Sequence, residues 1–289
     1  MVVRKRTTFR EIEPLEGIRP TERELRWFKH IACHGPQSSQ YLYELTRDTH
    51  SCKDTALRQL RKLRAAGFLY LPQQQRATEK ADFKPYIYDL TKGGAAILKE
   101  QGQLEACVRP TGHWWHGYAV SCVTSSIEIW AARQSIRYIP THIILERKNA
   151  SLAIPLAKGK VIPDQLFALD YGGLYRAFAL EVDRGTEPIM SSSERKSLAR
   201  SMDQYAKIIE TEMYKSHYGL KTNLLVLWVF TKATRQAQFL KLCMQNSVLV
   251  RQAVLTLNVE SSSYLYATCA GFFNGSWQRA GVCEQLICK

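Results

Sequence analysis

Three carboxylates stand close enough along the chain to share chemistry. Asp164 follows Pro163 at the head of the apolar run Gln165 to Leu169, and Glu181 and Asp183 lie two apart at the end of a second run, Tyr175 to Val182. The two-residue repeat of an extended strand sends Glu181 and Asp183 to the same face. If the two runs pair as a hairpin across the Gly172-Gly173 turn, Asp164 joins them at one end. Carboxylate oxygens converging in this way make an oxygen-rich site suited to Mg²⁺, and such an ion can activate water and neutralise the charge of a scissile phosphate. The plainer use of the same residues is as strand-end carboxylates paired with Arg184 or Lys196. His116 is a further candidate: it opens the apolar face of a helix, where a histidine is either a satisfied core residue or a functional one.

The elements that must position these groups follow from periodicity. A helix is expected from His113 to about Gln134, with His116, Val120, Val123, Ile127 and Trp130 on one face. Strands are expected at Tyr138 to Arg147, broken early by Pro140, then at the two carboxylate-bearing runs, at Asn223 to Thr231 and late at Tyr264 to Ala267. Helices are expected from about Ser193 to Met213, burying Leu198, Met202, Tyr205 and Ile209, and from Thr234 to Asn246. Strands and helices mixed in this order give an α/β sandwich around a central sheet.

The N-terminal third reads differently. Thr21 to Glu24 has the form of a capping box and starts a helix carrying Leu25, Phe28, Ile31 and Ala32, which Gly35-Pro36 ends. A short helix near Ser39 to Thr46 and a third from about Cys52 to Ala66 follow. The third buries Ala56, Leu57, Leu60 and Leu63, and shows Lys53, Arg58, Arg61, Lys62 and Arg64 on its other face. Gly67 suits the left-handed stop. Phe68 to Leu71 and Tyr86 to Leu90 read as two strands around a polar, basic tip with Arg76, Lys80 and Lys84, and a closing helix follows Thr91. The order predicts a winged helix-turn-helix. The run from Tyr88 to Gly94 resembles the L-T-x-x-G stretch that ends the wing in many winged-helix regulators. The third helix would enter the major groove while the wing lies on the backbone or minor groove. A solvated basic face, or a protein-interaction module, is the competing use of the same pattern.

Charge and length agree with a polyanionic partner. Forty Lys and Arg stand against 26 Asp and Glu in 289 residues, a net charge of +14 and a pI near 9.5. The longest apolar run, Leu224 to Phe230, is far too short to span a bilayer, and no apolar segment follows the basic stretch Met1 to Arg10, so neither membrane residence nor a secretory signal is expected. The eight cysteines form no C-x-x-C pair, which fits reduced core thiols in a cytoplasmic protein better than a disulfide frame or a zinc site. The expected organisation is a basic flexible arm at 1–20, a winged helix-turn-helix domain at 21–101, a linker at 102–112 and an α/β domain at 113–289.

The run Pro163-Asp164, then Ala179-Leu180-Glu181-Val182-Asp183-Arg184-Gly185-Thr186, resembles the signature of the replication-relaxation family of plasmids and other mobile elements. His116 sits where that family has a histidine. Asn223 to Leu227, Phe272-Phe273 and Trp277 also match. The family is similar to conjugative relaxases whose core is of the restriction-endonuclease type, with the PD-(D/E)xK pattern. The resemblance implies Asp164 and Glu181 as ligands of Mg²⁺ or Mn²⁺, Asp183 as a third ligand or a replacement for the motif lysine, and His116 near the same site. It also implies double-stranded DNA as partner, together with other replication or transfer proteins of the element, and leaves a homodimer open. One departure stands out. Relatives often carry K-x-x-x-Y on the helix after the motif, but here the tyrosine is Tyr205 and the lysine position holds Ser201, leaving Lys196 or Arg200 to supply a cation, or neither. Three readings follow: a DNA-processing protein that nicks or remodels DNA with a metal ion, a non-catalytic winged-helix regulator or accessory factor with a degenerate nuclease-like domain, or a structural interaction protein that uses the winged helix as an adaptor.

Overall fold

The computed structural model describes residues 9, 12–50, 52–103, 106–192, 196–285, 287 and 288. Half of the expected basic arm, including Arg4, Lys5, Arg6 and Arg10, lies outside the described residues. The chain forms two compact units. The first comprises Met1–Arg109, His113–Ser125 and Ser263–Thr268, and the second Pro110–Gly112, Ser126–Ser262 and Cys269–Lys289.

In the first unit the elements run α1 (Glu22–His34), β1 (Gln37–Ser38), α2 (Ser39–Leu45), α3 (Lys53–Ala65), β2 (Leu69–Tyr70), β3 (Ile87–Leu90) and α4 (Lys92–Glu100). The capping box forms as its sequence predicts, with Glu24 Oε2 accepting from Thr21 N at 2.6 Å. Leu25, Phe28, Ile31, Leu42, Leu60, Leu63 and Leu98 meet in one core. Trp27 closes it on one side, its indole N–H donating to the Leu42 carbonyl at 2.7 Å. The strands make a small antiparallel sheet ordered β1-β3-β2. β1 is a strand that periodicity did not show, because two residues are too short to alternate.

The tip between β2 and β3 is not an open loop. Gln73–Ala77 and Ala81–Phe83 are 3-10 turns, and the buried Gln75 amide donates to the Ile87 carbonyl at 2.8 Å and accepts from Ile87 N at 2.9 Å. One side chain thus takes over the β3 backbone groups that a longer hairpin would have paired.

The turn into α4 explains the Leu-Thr-x-x-Gly run. Thr91 Oγ1 accepts from Gly94 N at 3.1 Å and donates to the Gly67 carbonyl at 2.6 Å, tying the helix start to the stop of α3. A Cβ on Gly94 would come within 2.5 Å of the Phe68 carbonyl oxygen and 2.6 Å of Leu90 Cδ1. Gly94→Ala is therefore expected to destabilise by about 1–3 kcal/mol through overpacking, although alanine favours helix by about 1 kcal/mol. A urea midpoint followed by circular dichroism checks this; an unchanged or raised midpoint would contradict the close approach.

A long helix, α5 (Trp114–Ala132), contributes its first turns to this unit. Sequence periodicity placed the whole of it with the C-terminal domain. Its buried hydroxyls decide otherwise: Ser121, Thr124 and Ser125 bond Gln37 Nε2 at 2.7 Å, His34 Nδ1 at 2.8 Å and His30 Nε2 at 2.6 Å. The expected strand Tyr264 to Ala267 does not form; its first two residues end a 3-10 turn, Ser262–Leu265, whose Tyr264 carbonyl accepts from the Tyr41 hydroxyl at 2.6 Å.

The second unit continues with β4 (Arg137–Ile139), α6 (Thr141–Glu146), β5 (Ile154–Pro155), β6 (Lys160–Val161), β7 (Gln165–Asp170), β8 (Tyr175–Asp183), α7 (Leu198–Glu210), α8 (Met213–Tyr218), β9 (Leu224–Phe230), α9 (Ala233–Cys243), α10 (Val248–Ala253), β10 (Val254–Asn258), α11 (Gly271–Asn274), β11 (Trp277–Arg279) and β12 (Val282–Gln285). The expected strand from Tyr138 to Arg147 ends at Ile139, because Pro140 removes a ladder donor and then occupies the N-cap of α6. The helix expected from about Ser193 starts at Leu198, with Ser197 Oγ accepting from Arg200 N; positions 193–195 lie outside the described residues.

A seven-stranded sheet, ordered β12-β11-β10-β9-β8-β7-β4, forms the centre of this unit. β7 and β8 pair antiparallel, while β8, β9 and β10 run parallel. The parallel centre explains why β9 is continuously apolar: a strand covered on both faces has no polar side. Among the described residues no disulfide is present, and burial pushes the thiols of Cys122 and Cys243 up to about 12. No helix of the described residues is long and apolar enough to cross a membrane.

Candidate functional site

The β7–β8 hairpin brings Asp164 to Glu181. Its register sets Gln165 across from Leu180, so Asp164, one residue earlier, meets the end of β8. There its Oδ2 accepts from the backbone N–H of Val182 at 2.8 Å. Glu181 is buried and accepts a hydrogen bond at 2.6 Å from the hydroxyl of Tyr205, which α7 lays against the sheet beside Trp228. Burial pushes the Glu181 carboxyl well above the usual carboxylate range, and the neighbouring Asp164 charge pushes the same way; Lys196 and the Tyr205 hydroxyl pull against them.

Glu181, Tyr205, Lys196, Arg200, Lys160 and Ile162 line a cavity of about 400 Å³. Lys196 stands 3.1 Å from Glu187 Oε1. Partial burial pushes its ammonium down, but Glu181, Glu187 and Asp164 together outweigh that and hold it above its ordinary value. A lysine facing this carboxylate pair stays charged through neutral pH. The donor set fits a hard divalent cation: two carboxylates, all-oxygen, one of them held at an electrostatic cost that a bound cation would relieve, with open cavity beside them for water and phosphate oxygens.

The sequence-selected residues separate in the structure. Asp183 shares a face with Glu181, as expected, but does not join the pair as a third ligand. Both of its oxygens are taken by Arg235 of α9, Nε to Oδ2 at 2.5 Å and Nη2 to Oδ1 at 2.9 Å. The three carboxylates do not bring ligand atoms within 4.8 Å of one another. His116 belongs to the first unit, so it is not among the residues that the second unit gathers. Of the two cations left open by the missing K-x-x-x-Y lysine, both Lys196 and Arg200 line the cavity, and Lys196 feels the charge of Glu181 and Asp164. Sequence reasoning did not find Lys160, Glu187 or Arg235. Lys160 lies only four residues before Asp164, but on a strand too short to register.

In the first unit, Lys53, Arg58, Arg61 and Lys62 are exposed on the outer face of α3. Arg64 is half-buried, and burial lowers its pKa. Arg76 is exposed; its guanidinium donates to the Phe9 carbonyl at 3.2 Å and lies over the Phe9 ring. Lys80 is exposed in a left-handed conformation, φ 54°, and Lys84 sits 5.1 Å from the centre of the Tyr266 ring. Lys53, Arg61 and Lys84 line one cleft together, while Arg58, Lys62, Arg76 and Lys80 do not enter it.

A family profile described as replication-relaxation matches residues 28–224, more than half of the chain. The chain belongs to the replication-relaxation family. In this replication-relaxation chain the matched span takes in α3, Asp164, Glu181, Lys196 and Tyr205 but stops before Arg235, so the partner of Asp183 lies outside it. No curated protein matches. Among solved structures, the restriction endonuclease FokI is similar at a TM-score of 0.31 and 12% identity, over 84% of this chain and 42% of the FokI chain. The chain thus spans less than half the length of that enzyme, and a likeness this loose carries no argument about its fold or chemistry.

Proposed function

We propose that this chain is a DNA-processing protein of a plasmid or other mobile element, in which a winged helix-turn-helix unit binds double-stranded DNA and a restriction-endonuclease-like unit nicks it with Mg²⁺ or Mn²⁺. The observation that carries the catalytic part is that Glu181 and Lys196 share one cavity while the Asp164 charge acts on both of them. The alternation of three N-terminal helices with a β1-β3-β2 sheet, and the exposed cations of α3, support the DNA-binding part.

When bound, the metal ion would lower the pKa of a water and neutralise charge on the scissile phosphate. Asp164 and Glu181 would hold it. The chain's own groups would do the rest. Tyr205 fixes the Glu181 carboxylate through its hydroxyl, so the oxygen that remains is presented in one orientation. Lys196 carries the positive charge that the motif lysine supplies elsewhere, placed to offset charge on the pentacovalent phosphate. Lys160 and Arg200 add cations along the cavity wall for the flanking backbone.

A second reading, a non-catalytic DNA-binding accessory factor, draws on one observation: Lys196 is already paired with Glu187. Supercoiled plasmid incubated with the full chain and Mn²⁺ separates the two. Conversion to open circles that EDTA prevents is the expected result. Plasmid that is bound, with a steep salt dependence, yet stays supercoiled would favour the second.

A further inference from the structure

Phe83 is 89% exposed, the most exposed large apolar side chain among the described residues. A lone exposed aromatic is unremarkable by itself. This one closes the 3-10 turn Ala81–Phe83 and stands at the rim of a cleft of about 250 Å³. The cleft runs between α3, which gives Lys53, Leu57 and Arg61, and the segment entering β3, which gives Phe83, Lys84 and Tyr86. Among the described residues that line it, none is acidic.

Two chemistries alternate along these walls. Lys53 and Arg61 offer cations on one side, where a phosphate can lie. Phe83 and Tyr86 offer aromatic rings on the other, Tyr86 braced by a T-shaped contact with Phe9, and an aromatic face can take the π-face of any base. A base inside a duplex has both faces covered by its neighbours, so only a base out of the stack can use such a wall. The Phe83 ring is left exposed to solvent, and the adjoining Lys84 is held over the Tyr266 ring, which keeps the segment against the unit.

We propose that this cleft holds one unstacked nucleotide of DNA, its base against Phe83 and Tyr86 and its phosphate against Lys53 and Arg61. The inference deepens the DNA-binding reading above and rests on it. It assigns the first unit a preference for DNA with a locally opened base, in addition to duplex contacts through α3.

Fluorescence anisotropy with the full chain tests it on three probes of one sequence: a paired duplex, the same duplex with one bulged nucleotide, and the bulged duplex with that nucleotide abasic. The bulged probe should bind about tenfold tighter than the paired one, the worth of stacking one base. The abasic probe should fall back to the paired level. Phe83→Ala should erase the preference and keep paired-duplex affinity, and Phe83→Trp should retain it. Equal binding of bulged and paired probes by the unaltered protein, or an equal loss on both in Phe83→Ala, would overturn the cleft assignment while leaving duplex binding intact. Absence of binding to all three probes at low salt would sink the DNA-binding reading itself.

Discussion

Glu181→Gln is expected to abolish plasmid relaxation while leaving the protein at least as stable as before. The amide carbonyl still accepts the Tyr205 hydroxyl, so the hydrogen bond at 2.6 Å survives. What disappears is a unit charge that burial and Asp164 both oppose. A ligand charge beside the metal is worth several kcal/mol of transition-state stabilisation, so the rate should fall on the order of 10³-fold. Asp164→Asn should do the same, and it is the better choice than alanine because it keeps an acceptor for the Val182 N–H. Either variant relaxing plasmid at the unaltered rate would remove the proposed site.

The pH dependence of stability gives an independent readout. The folded Glu181 carboxyl holds its proton to higher pH than the unfolded one. Its contribution to stability is therefore fully present below the unfolded carboxylate pKa and is lost as pH rises through the raised folded value. Melting temperature should drop from acid toward neutral pH by more in the unaltered protein than in Glu181→Gln. Mg²⁺ at pH 8 should restore part of that loss in the former and none in the latter.

The second large effect is expected at Arg235. The Asp183 side chain is only 3% exposed, and Arg235 grips both of its oxygens. Removing the guanidinium strands a buried carboxylate, so Arg235→Ala should cost about 3–5 kcal/mol, read as a fall in the denaturation midpoint. The same guanidinium donates to the Glu187 carbonyl at 2.8 Å, and the Glu187 carboxylate pairs with Lys196. Loosening this clamp should also lower the relaxation rate, by freeing the segment that carries Lys196. Asp183→Asn distinguishes the clamp from a metal ligand: half-saturating Mn²⁺ should stay unchanged. A tenfold or greater rise would return Asp183 to the metal site.

The carboxylate pair was legible because everything that builds it is local. The Gly172-Gly173 turn, with φ of 82° and 99°, closes a hairpin whose two strands lie within twenty residues of each other, and alternation along β8 sets the face of Glu181. The basic face of α3 was equally plain, since a helix displays its stripe whatever it packs against. The capping box at Thr21 and the stop at Gly67 belong to the same class of short-range signal.

Alternation could not say which of two same-face carboxylates would be free to bind and which would be consumed. That depended on Arg235, 52 residues from Asp183 in sequence, brought across the sheet by the packing of α9. Nor could it choose a cation, because Lys196 precedes its helix, where no periodicity says what a side chain meets. The strands β10 to β12 escaped for a related reason: their pairing, parallel to β9 and then antiparallel, is long-range, and an edge leaves little pattern in its own residues. What the amino-acid order determined alone was which residues carry charge and which face each element shows. Tertiary structure decided which charges meet, because an ion pair is made by distance in space, and spacing along the chain constrains that distance only within a hairpin or a helix turn.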